Sequence, residues 1–147
     1  MPEKASPIEI LLVEDNPADS RLTQTILAND KICNHLSVVQ DGASAIAFLR
    51  GQGEFAGAPR PDLILLDLNL PGKNGHEVLE ELKADDDLQH IPVIILTGSI
   101  RDQDIIKSYD LQANCYIVKP INIDEFIRVA KSIKEFGLSI VRMPPSP

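Results

Sequence analysis

The sequence predicts an α/β protein in which helices cover both faces of an open, doubly wound sheet of five parallel strands in the order 2-1-3-4-5. Five short apolar segments alternate with five segments of helical character along residues 8–136. Alternation of this kind is typical of parallel sheets covered by helices. The apolar segments are also nearly continuous, as expected of strands that are buried on both faces.

The predicted strands are the apolar segments themselves, and a predicted helix follows each of them. In the first helix Asn16 can act as the cap, Pro17 suits the first helical position, and Leu22, Ile26 and Leu27 are expected to face the core. Residues 51–61 contain three Gly and two Pro and predict an extended loop. The strands cover residues 8–13, 36–39, 63–66, 92–96 and 116–118, and the helices residues 16–29, 41–49, 75–83, 101–111 and 123–136.

Length and composition predict a single domain over residues 8–136, with a flexible leader at 1–7 and an apolar, Pro-rich tail at 137–147 but no output domain. The formal net charge is −8 and Lys and Arg do not cluster, which argues against a nucleic-acid partner. No signal peptide or membrane span is evident. Cys33 and Cys115 fall at opposite edges of the predicted sheet, too far apart for a disulfide. We therefore expect a soluble protein of the cytoplasm with no membrane partner.

Four of the predicted strands are followed by side chains that can do chemistry. The acidic pair Glu14 and Asp15 follows the first strand, Asp67 the third, Thr97 the fourth and Lys119 the fifth. Because the carboxyl ends of parallel strands share one edge of the sheet, where ligands bind, we expect these side chains to converge.

The residue types at this edge predict a metal site and a phosphoryl site. Three carboxylates brought together repel one another, so Glu14, Asp15 and Asp67 call for a divalent cation, and Mg²⁺ prefers oxygen ligands. Taken alone, the acidic pair could simply favour the helix dipole, Lys119 could extend to solvent, and Thr97 could be an ordinary strand residue. Together, Lys119 and Thr97 could bind the oxygens of a phosphoryl group carried by Asp67.

With these residues the chain resembles the response-regulator receiver domains of two-component signalling, which have a flavodoxin-like (βα)5 fold of the CheY type. The family's acidic pair falls on Glu14 and Asp15, its phosphoacceptor on Asp67, its switch hydroxyl on Thr97 and its lysine on Lys119. The ordered set over four strand ends is far more specific than any single member.

The resemblance also implies the roles of neighbouring residues. The family's switch aromatic falls on Tyr116, and its usually cis-linked proline on Pro120. Mg²⁺ would be held by Asp15, by Asp67 and by the backbone carbonyl of Asn69. Glu14 would act on the metal through water, and it stands where the family more often has aspartate.

The function implied by this resemblance is that of a single-domain response regulator. It would accept a phosphoryl group from a histidine kinase or a histidine phosphotransfer protein and signal through protein contacts. It would be no enzyme beyond its own phosphotransfer and autodephosphorylation. Three segments, VEDNPADSRL, GQGEFAGAPRPDLILLDLNLP and LQANCYIVKP, are similar to the small regulators partnered with bacterial and cyanobacterial phytochrome kinases. An aromatic pair common near Phe136 in those regulators is missing here, where Gly137 follows.

Two other functions and the assembly state are open at the sequence level. Haloacid-dehalogenase-like phosphatases also phosphorylate an aspartate at a strand end, but they need a second acid two residues later, where this chain has Asn69. A docking module that works without phosphorylation is the other alternative. We expect a homodimer through the fifth helix and the tail, although the tail could instead fold back on its own sheet. The apolar tail residues are Leu138, Ile140, Val141 and Met143.

Overall fold

The computed structural model describes residues 8–28, 34–98 and 115–132. Within these residues a five-stranded parallel sheet has the order β2-β1-β3-β4-β5, which confirms the predicted fold class. The elements in chain order are β1 (Ile8–Val13), α1 (Pro17–Leu27), β2 (Asn34–Val39), α2 (Gly42–Arg50), a 3-10 turn (Gly53–Phe55), β3 (Leu63–Asp67), α3 (Gly75–Ala84), β4 (Val93–Thr97), β5 (Cys115–Val118) and α4 (Ile123–Ser132).

The helix α4 corresponds to the fifth helix predicted from the sequence. The predicted fourth helix at 101–111, the last residues of the fifth at 133–136, the leader at 1–7 and the tail at 137–147 all lie outside the described residues. None of the helices within the described ranges is long and apolar enough to cross a membrane.

The two faces of the sheet carry separate hydrophobic clusters, because successive side chains of a strand point to opposite faces. On one face, Ile64 and Ile95 pack with Phe48 of α2 and Leu79 of α3. On the other face, Leu12, Leu65 and Ile117 pack with Leu27 of α1 and Phe126 of α4. The sheet is therefore covered by helices on both sides, and every residue of β3 and β4 is buried.

Side-chain caps fix where the helices begin. The Asn16 side chain accepts a hydrogen bond of 3.0 Å from the Asp19 N–H, and Pro17 occupies the first helical position, as the sequence predicted. Asn74 and Glu77 form a reciprocal capping box at the start of α3, in which two otherwise unpaired N–H groups are satisfied.

Two local predictions were wrong. The buried face of α1 is made by Ser20, Thr23 and Leu27, whereas Leu22 is 44% exposed. Positions 20, 23 and 27 share one helical stripe, and position 22 lies on the far side of the helix from it. The strand β2 begins at Asn34 rather than at residue 36, because its first two residues, although polar, continue the pairing with β1.

Candidate functional site

The parallel register brings the ends of four strands to one edge of the sheet. Val13 of β1 pairs with Leu66 of β3, and Asp67 pairs with Leu96 of β4. Thr97 in turn pairs with Val118 of β5. The carboxylates of Glu14 and Asp67 and the ammonium of Lys119 meet at this edge, as the sequence predicted.

Alternation along the strands explains why three of these side chains meet on one face. Glu14, Asp67 and Lys119 each come two residues after a core residue on the face covered by α1 and α4. These core residues are Leu12, Leu65 and Ile117. Since residues two apart on a strand share a face, the three charged side chains continue the α1 side of the sheet beyond its apolar core.

Three carboxylates form a compact cluster at this edge. Glu14, Asp15 and Asp67 each offer an oxygen, and these oxygens all lie within 4.8 Å of one another. Glu14 and Asp67 are buried, at 1% and 3% exposure, whereas Asp15 is exposed. Burying like charges together is unfavourable unless a cation compensates them, so the donor set fits a hard divalent cation that binds oxygen and keeps part of its water shell.

The protonation of Glu14 reflects this crowding. Burial raises the pKa of Glu14 to about 7, and the hydrogen bond with Asp67 acts in the same direction, while Lys119 opposes the shift. A carboxyl group with a pKa in this range is held partly protonated at neutral pH because its charge is not fully compensated. The electrostatics of the cluster therefore favour an added positive charge.

Lys119 contacts three carboxylates at once. Its Nζ lies 2.6 Å from Glu14 Oε1, 2.9 Å from Asp67 Oδ2 and 3.1 Å from Asp19 Oδ2. Burial by itself lowers the pKa of Lys119, but the three carboxylates outweigh that effect and raise the pKa above its usual value. Lys119 is therefore charged at neutral pH and is the cation nearest to Asp67 among the described residues.

Asp19 is a site residue that sequence reasoning missed. It lies in the first turn of α1, and its side chain is 42% exposed. The available signal was topological: α1 covers the same face on which Lys119 lies, so an acid in its first turn is within reach of that lysine. In isolation, an aspartate at this position predicts only a favourable interaction with the helix dipole.

Backbone N–H groups orient two of the carboxylates. The Asn69 N–H donates to Asp67 Oδ1 at 3.0 Å, and the Asn16 N–H donates to Glu14 Oε2 at 3.3 Å. Each carboxylate thus has one oxygen facing a backbone donor and the other facing Lys119. The proposed metal contact of the Asn69 carbonyl stays a prediction.

Thr97 and Tyr116 lie on the opposite face of the sheet from the Lys119 contacts. Thr97 is 1% exposed, and its carbonyl accepts a hydrogen bond of 2.7 Å from the Lys119 N–H. Tyr116 pairs with Ile95, two residues before Thr97, and packs half-buried against the core under α2 and α3. The two side chains therefore share a face on neighbouring strands. The bond between Lys119 and Pro120 is cis, as the resemblance implied.

The chain belongs to the response regulator receiver domain family, whose sequence profile matches residues 10–131. This match confirms the resemblance derived from the strand-end residues.

Relatives of known sequence and structure are similar along nearly the whole chain. The response regulator Rcp1 of Synechocystis sp. is 48% identical over 142 residues, which is 97% of this chain and 97% of Rcp1. The phosphorylated cyanobacterial phytochrome response regulator RcpA is 50% identical in sequence to this chain. Its crystal structure matches with a TM-score of 0.76 over 96% of this chain and 100% of RcpA. A crystal structure of the Mn²⁺-bound form of Rcp1 has a TM-score of 0.74 at 48% identity, over 94% of this chain and 99% of that one.

Proposed function

We propose that Asp67 accepts a phosphoryl group from a histidine kinase or a histidine phosphotransfer protein. The observation that carries this proposal is the position of Asp67, whose Oδ2 lies 2.9 Å from the charged Lys119 Nζ while its Oδ1 accepts from the Asn69 N–H. A carboxylate oxygen of Asp67 forms the new P–O bond as the P–N bond of phosphohistidine breaks, and the imidazole leaves with the electron pair. The product is an acyl phosphate on Asp67.

The residues around Asp67 support each part of this transfer. Lys119, buried except for 19% of its side chain, supplies a fixed positive charge for a phosphoryl oxygen. The hydroxyl of Thr97, on the neighbouring strand end, would bind another phosphoryl oxygen. Mg²⁺ would be held by Asp15, by Asp67 and by the Asn69 carbonyl, with Glu14 acting through water. When bound, such a cation neutralises charge that develops on the transferring group.

The expected partners follow from the relatives. RcpA is a cyanobacterial phytochrome response regulator, and AtBRR, whose structure has a TM-score of 0.81 at 38% identity over 99% of this chain and 100% of AtBRR, is a bacteriophytochrome response regulator. We therefore propose a phytochrome histidine kinase as the phosphodonor, acting in the cytoplasm. The output would be protein contacts rather than nucleic-acid binding, in keeping with the net charge of −8. Turnover would be limited to self-phosphotransfer and autodephosphorylation.

Phosphorylation by a small donor tests the assignment of Asp67. The protein is incubated with acetyl phosphate and Mg²⁺, and its intact mass is measured beside Asp67→Asn, an EDTA sample and the matched variant Asp62→Asn. Asp62 is an exposed carboxylate just before β3. We expect labelling of the wild type and of Asp62→Asn only. Full labelling of Asp67→Asn or of the EDTA sample would refute the assignment, and an unlabelled wild type would favour the phosphorylation-independent docking module.

We also propose a symmetric homodimer that uses the fifth predicted helix and the tail. The support is the apolar character of Leu138, Ile140, Val141 and Met143, which in water would form a contact patch. These residues lie outside the described ones. Sedimentation of the full chain and of a chain ending at Phe136 decides between a dimer and a tail that folds back, because only a dimer would dissociate on truncation. A full-length monomer at tens of micromolar concentration would contradict the dimer.

A further inference from the structure

The Lys119 ammonium group is enclosed by three carboxylates. It donates hydrogen bonds to Asp67 Oδ2 at 2.9 Å and to Asp19 Oδ2 at 3.1 Å, and its Nζ lies 2.6 Å from Glu14 Oε1 in an ion pair. If Lys119 is to bind a phosphoryl oxygen, it must give up or weaken one of these contacts.

The contact with Asp19 is the one that costs least to release. The Glu14 side chain is fully buried and that of Asp67 is 5% exposed, so neither carboxylate can regain water. The Asp19 side chain is 42% exposed and can be hydrated where it lies. A second effect acts in the same direction, because a phosphoryl group near Lys119 would bring its negative charge close to that of Asp19.

We propose that Asp19 is a positioning residue that draws the Lys119 ammonium toward α1 and thereby weakens the binding of a phosphoryl group at Asp67. The proposal rests on the proposed phosphorylation of Asp67. Asp19 need not touch the phosphoryl group, because it acts by competing for Lys119. Neutralising it frees one donor of the ammonium and removes one negative charge from the rim of the site.

The test measures the binding of beryllofluoride, a phosphoryl mimic, by calorimetry at saturating Mg²⁺, with the Mg²⁺ affinity of each variant measured separately. Because a partly exposed ion pair contributes little, Asp19→Asn should bind beryllofluoride on the order of two- to fivefold more tightly than the wild type. Asp19→Glu restores the charge and should return the affinity to that of the wild type.

Glu125→Gln is the matched control. Glu125 is also an acid in the first turn of a helix, and its side chain is 40% exposed, but its near partner is Arg128. Its substitution should leave beryllofluoride affinity unchanged. Equal or weaker binding by Asp19→Asn, or the same gain in Glu125→Gln, would overturn the proposal. A wild type that does not bind beryllofluoride at all would instead overturn the proposed function on which this inference rests.

Discussion

The α-carbon of Gly75 packs against the backbone carbonyl of Asp67. A β-carbon at position 75 would come within 2.7 Å of that carbonyl oxygen and within 2.6 Å of the Leu68 α-carbon, both closer than van der Waals contact allows. The Gly75 N–H also donates to the Leu68 carbonyl at 3.1 Å. The first residue of α3 therefore holds the backbone that leaves β3 at the proposed phosphoacceptor.

Gly75→Ala should destabilise the protein and disturb Asp67. The added methyl group meets backbone atoms, which cannot move aside as a flexible side chain can, and overpacking of this kind typically costs about 1–3 kcal/mol. Urea unfolding should show a loss of free energy of unfolding in that range. Amide spectra should show shifts at Asp67 and Leu68.

Gly98→Ala is the control for this substitution. None of the described residues has an atom within 4 Å of a β-carbon built at position 98, and the backbone there is not in the left-handed region. The variant should therefore unfold at nearly the wild-type urea concentration. A Gly75→Ala protein as stable as Gly98→Ala would mean that α3 shifts freely relative to β3.

Lys119→Met should lower the free energy of unfolding of the metal-free protein and raise its affinity for Mg²⁺. The substitution removes the ammonium that compensates Glu14, Asp19 and Asp67, and leaving buried carboxylates unpaired should cost about 3 kcal/mol in EDTA. A divalent cation no longer competes with the ammonium for these oxygens, so Mg²⁺ should bind more tightly and restore more stability than it adds to the wild type. The measurement is the free energy of unfolding with and without Mg²⁺.

Lys83→Met serves as the comparison for Lys119→Met. Lys83 lies on α3, and its Nζ donates to the Gln89 carbonyl at 3.4 Å. Its loss should leave the stabilisation by Mg²⁺ at the wild-type value. If Lys119→Met gains no more from Mg²⁺ than Lys83→Met does, then Lys119 and the cation do not compete for the same carboxylates.

The capping carboxylate after α3 should make stability depend on acid pH. The backbone N–H groups of Leu88 and Asp87 hold the pKa of Asp85 below its ordinary value of 3.8, and Arg50 adds to the effect. Because the folded pKa is depressed, this contribution is complete above pH 3.8 and is lost as the pH falls through the folded pKa. The stability difference between the wild type and Asp85→Asn should therefore shrink on acidification below pH 3.8.

The control for Asp85 is its exposed neighbour, Asp86. Acid titrations of the free energy of unfolding are compared for the wild type, Asp85→Asn and Asp86→Asn. We expect only the Asp85→Asn curve to converge on the wild type at low pH. A difference between Asp85→Asn and the wild type that is the same at all pH values would show that the charge on Asp85 contributes nothing.

The sequence predicted that the three charged residues of the candidate site meet, because that prediction needed only the positions of the strand ends. Once the alternation predicts a parallel sheet, Glu14, Asp67 and Lys119 must meet at its carboxyl edge, whatever the details of packing. Asp19 could not be found in this way, because its contact with Lys119 depends on which face of the sheet α1 covers. The right-handed crossover between parallel strands fixes that face once the strand order is predicted, but the positions of the strand ends alone do not reveal it.

The two wrong local predictions, on α1 and β2, concern contacts that form only in the folded protein. Leu22 was expected to face the core because it is apolar, yet the buried stripe of α1 contains the small polar residues Ser20 and Thr23. The start of β2 was placed too late because its first residues are polar. Their pairing with β1 is supported by a hydrogen bond between His35 Nδ1 and Glu9 Oε1 at 2.8 Å, a contact that only the folded sheet brings together.

Thr97→Ala should keep phosphoryl binding at Asp67 but lose the response of the surface formed by β5 and α4. Thr97 and Tyr116 share a face on neighbouring strands, with Tyr116 beside Ile95. If the Thr97 hydroxyl turns toward the phosphoryl group, it leaves space into which Tyr116 can rotate, which gives a two-state switch. We expect Thr97→Ala to bind beryllofluoride still but to lose the induced amide shifts at β5 and α4.

Thr23→Ala is the matched control for Thr97→Ala, because Thr23 is also a buried threonine, at 5% exposure, but lies on α1. The helix α1 covers the opposite face of the sheet from Thr97 and Tyr116, so removal of the Thr23 hydroxyl should leave the shifts at β5 and α4 intact. The decisive comparison is between these two variants, both saturated with Mg²⁺ and beryllofluoride. Wild-type shifts in Thr97→Ala would show that the signal leaves the site without Thr97, and the coupling to Tyr116 would have to run through Lys119 and the backbone of β5 instead.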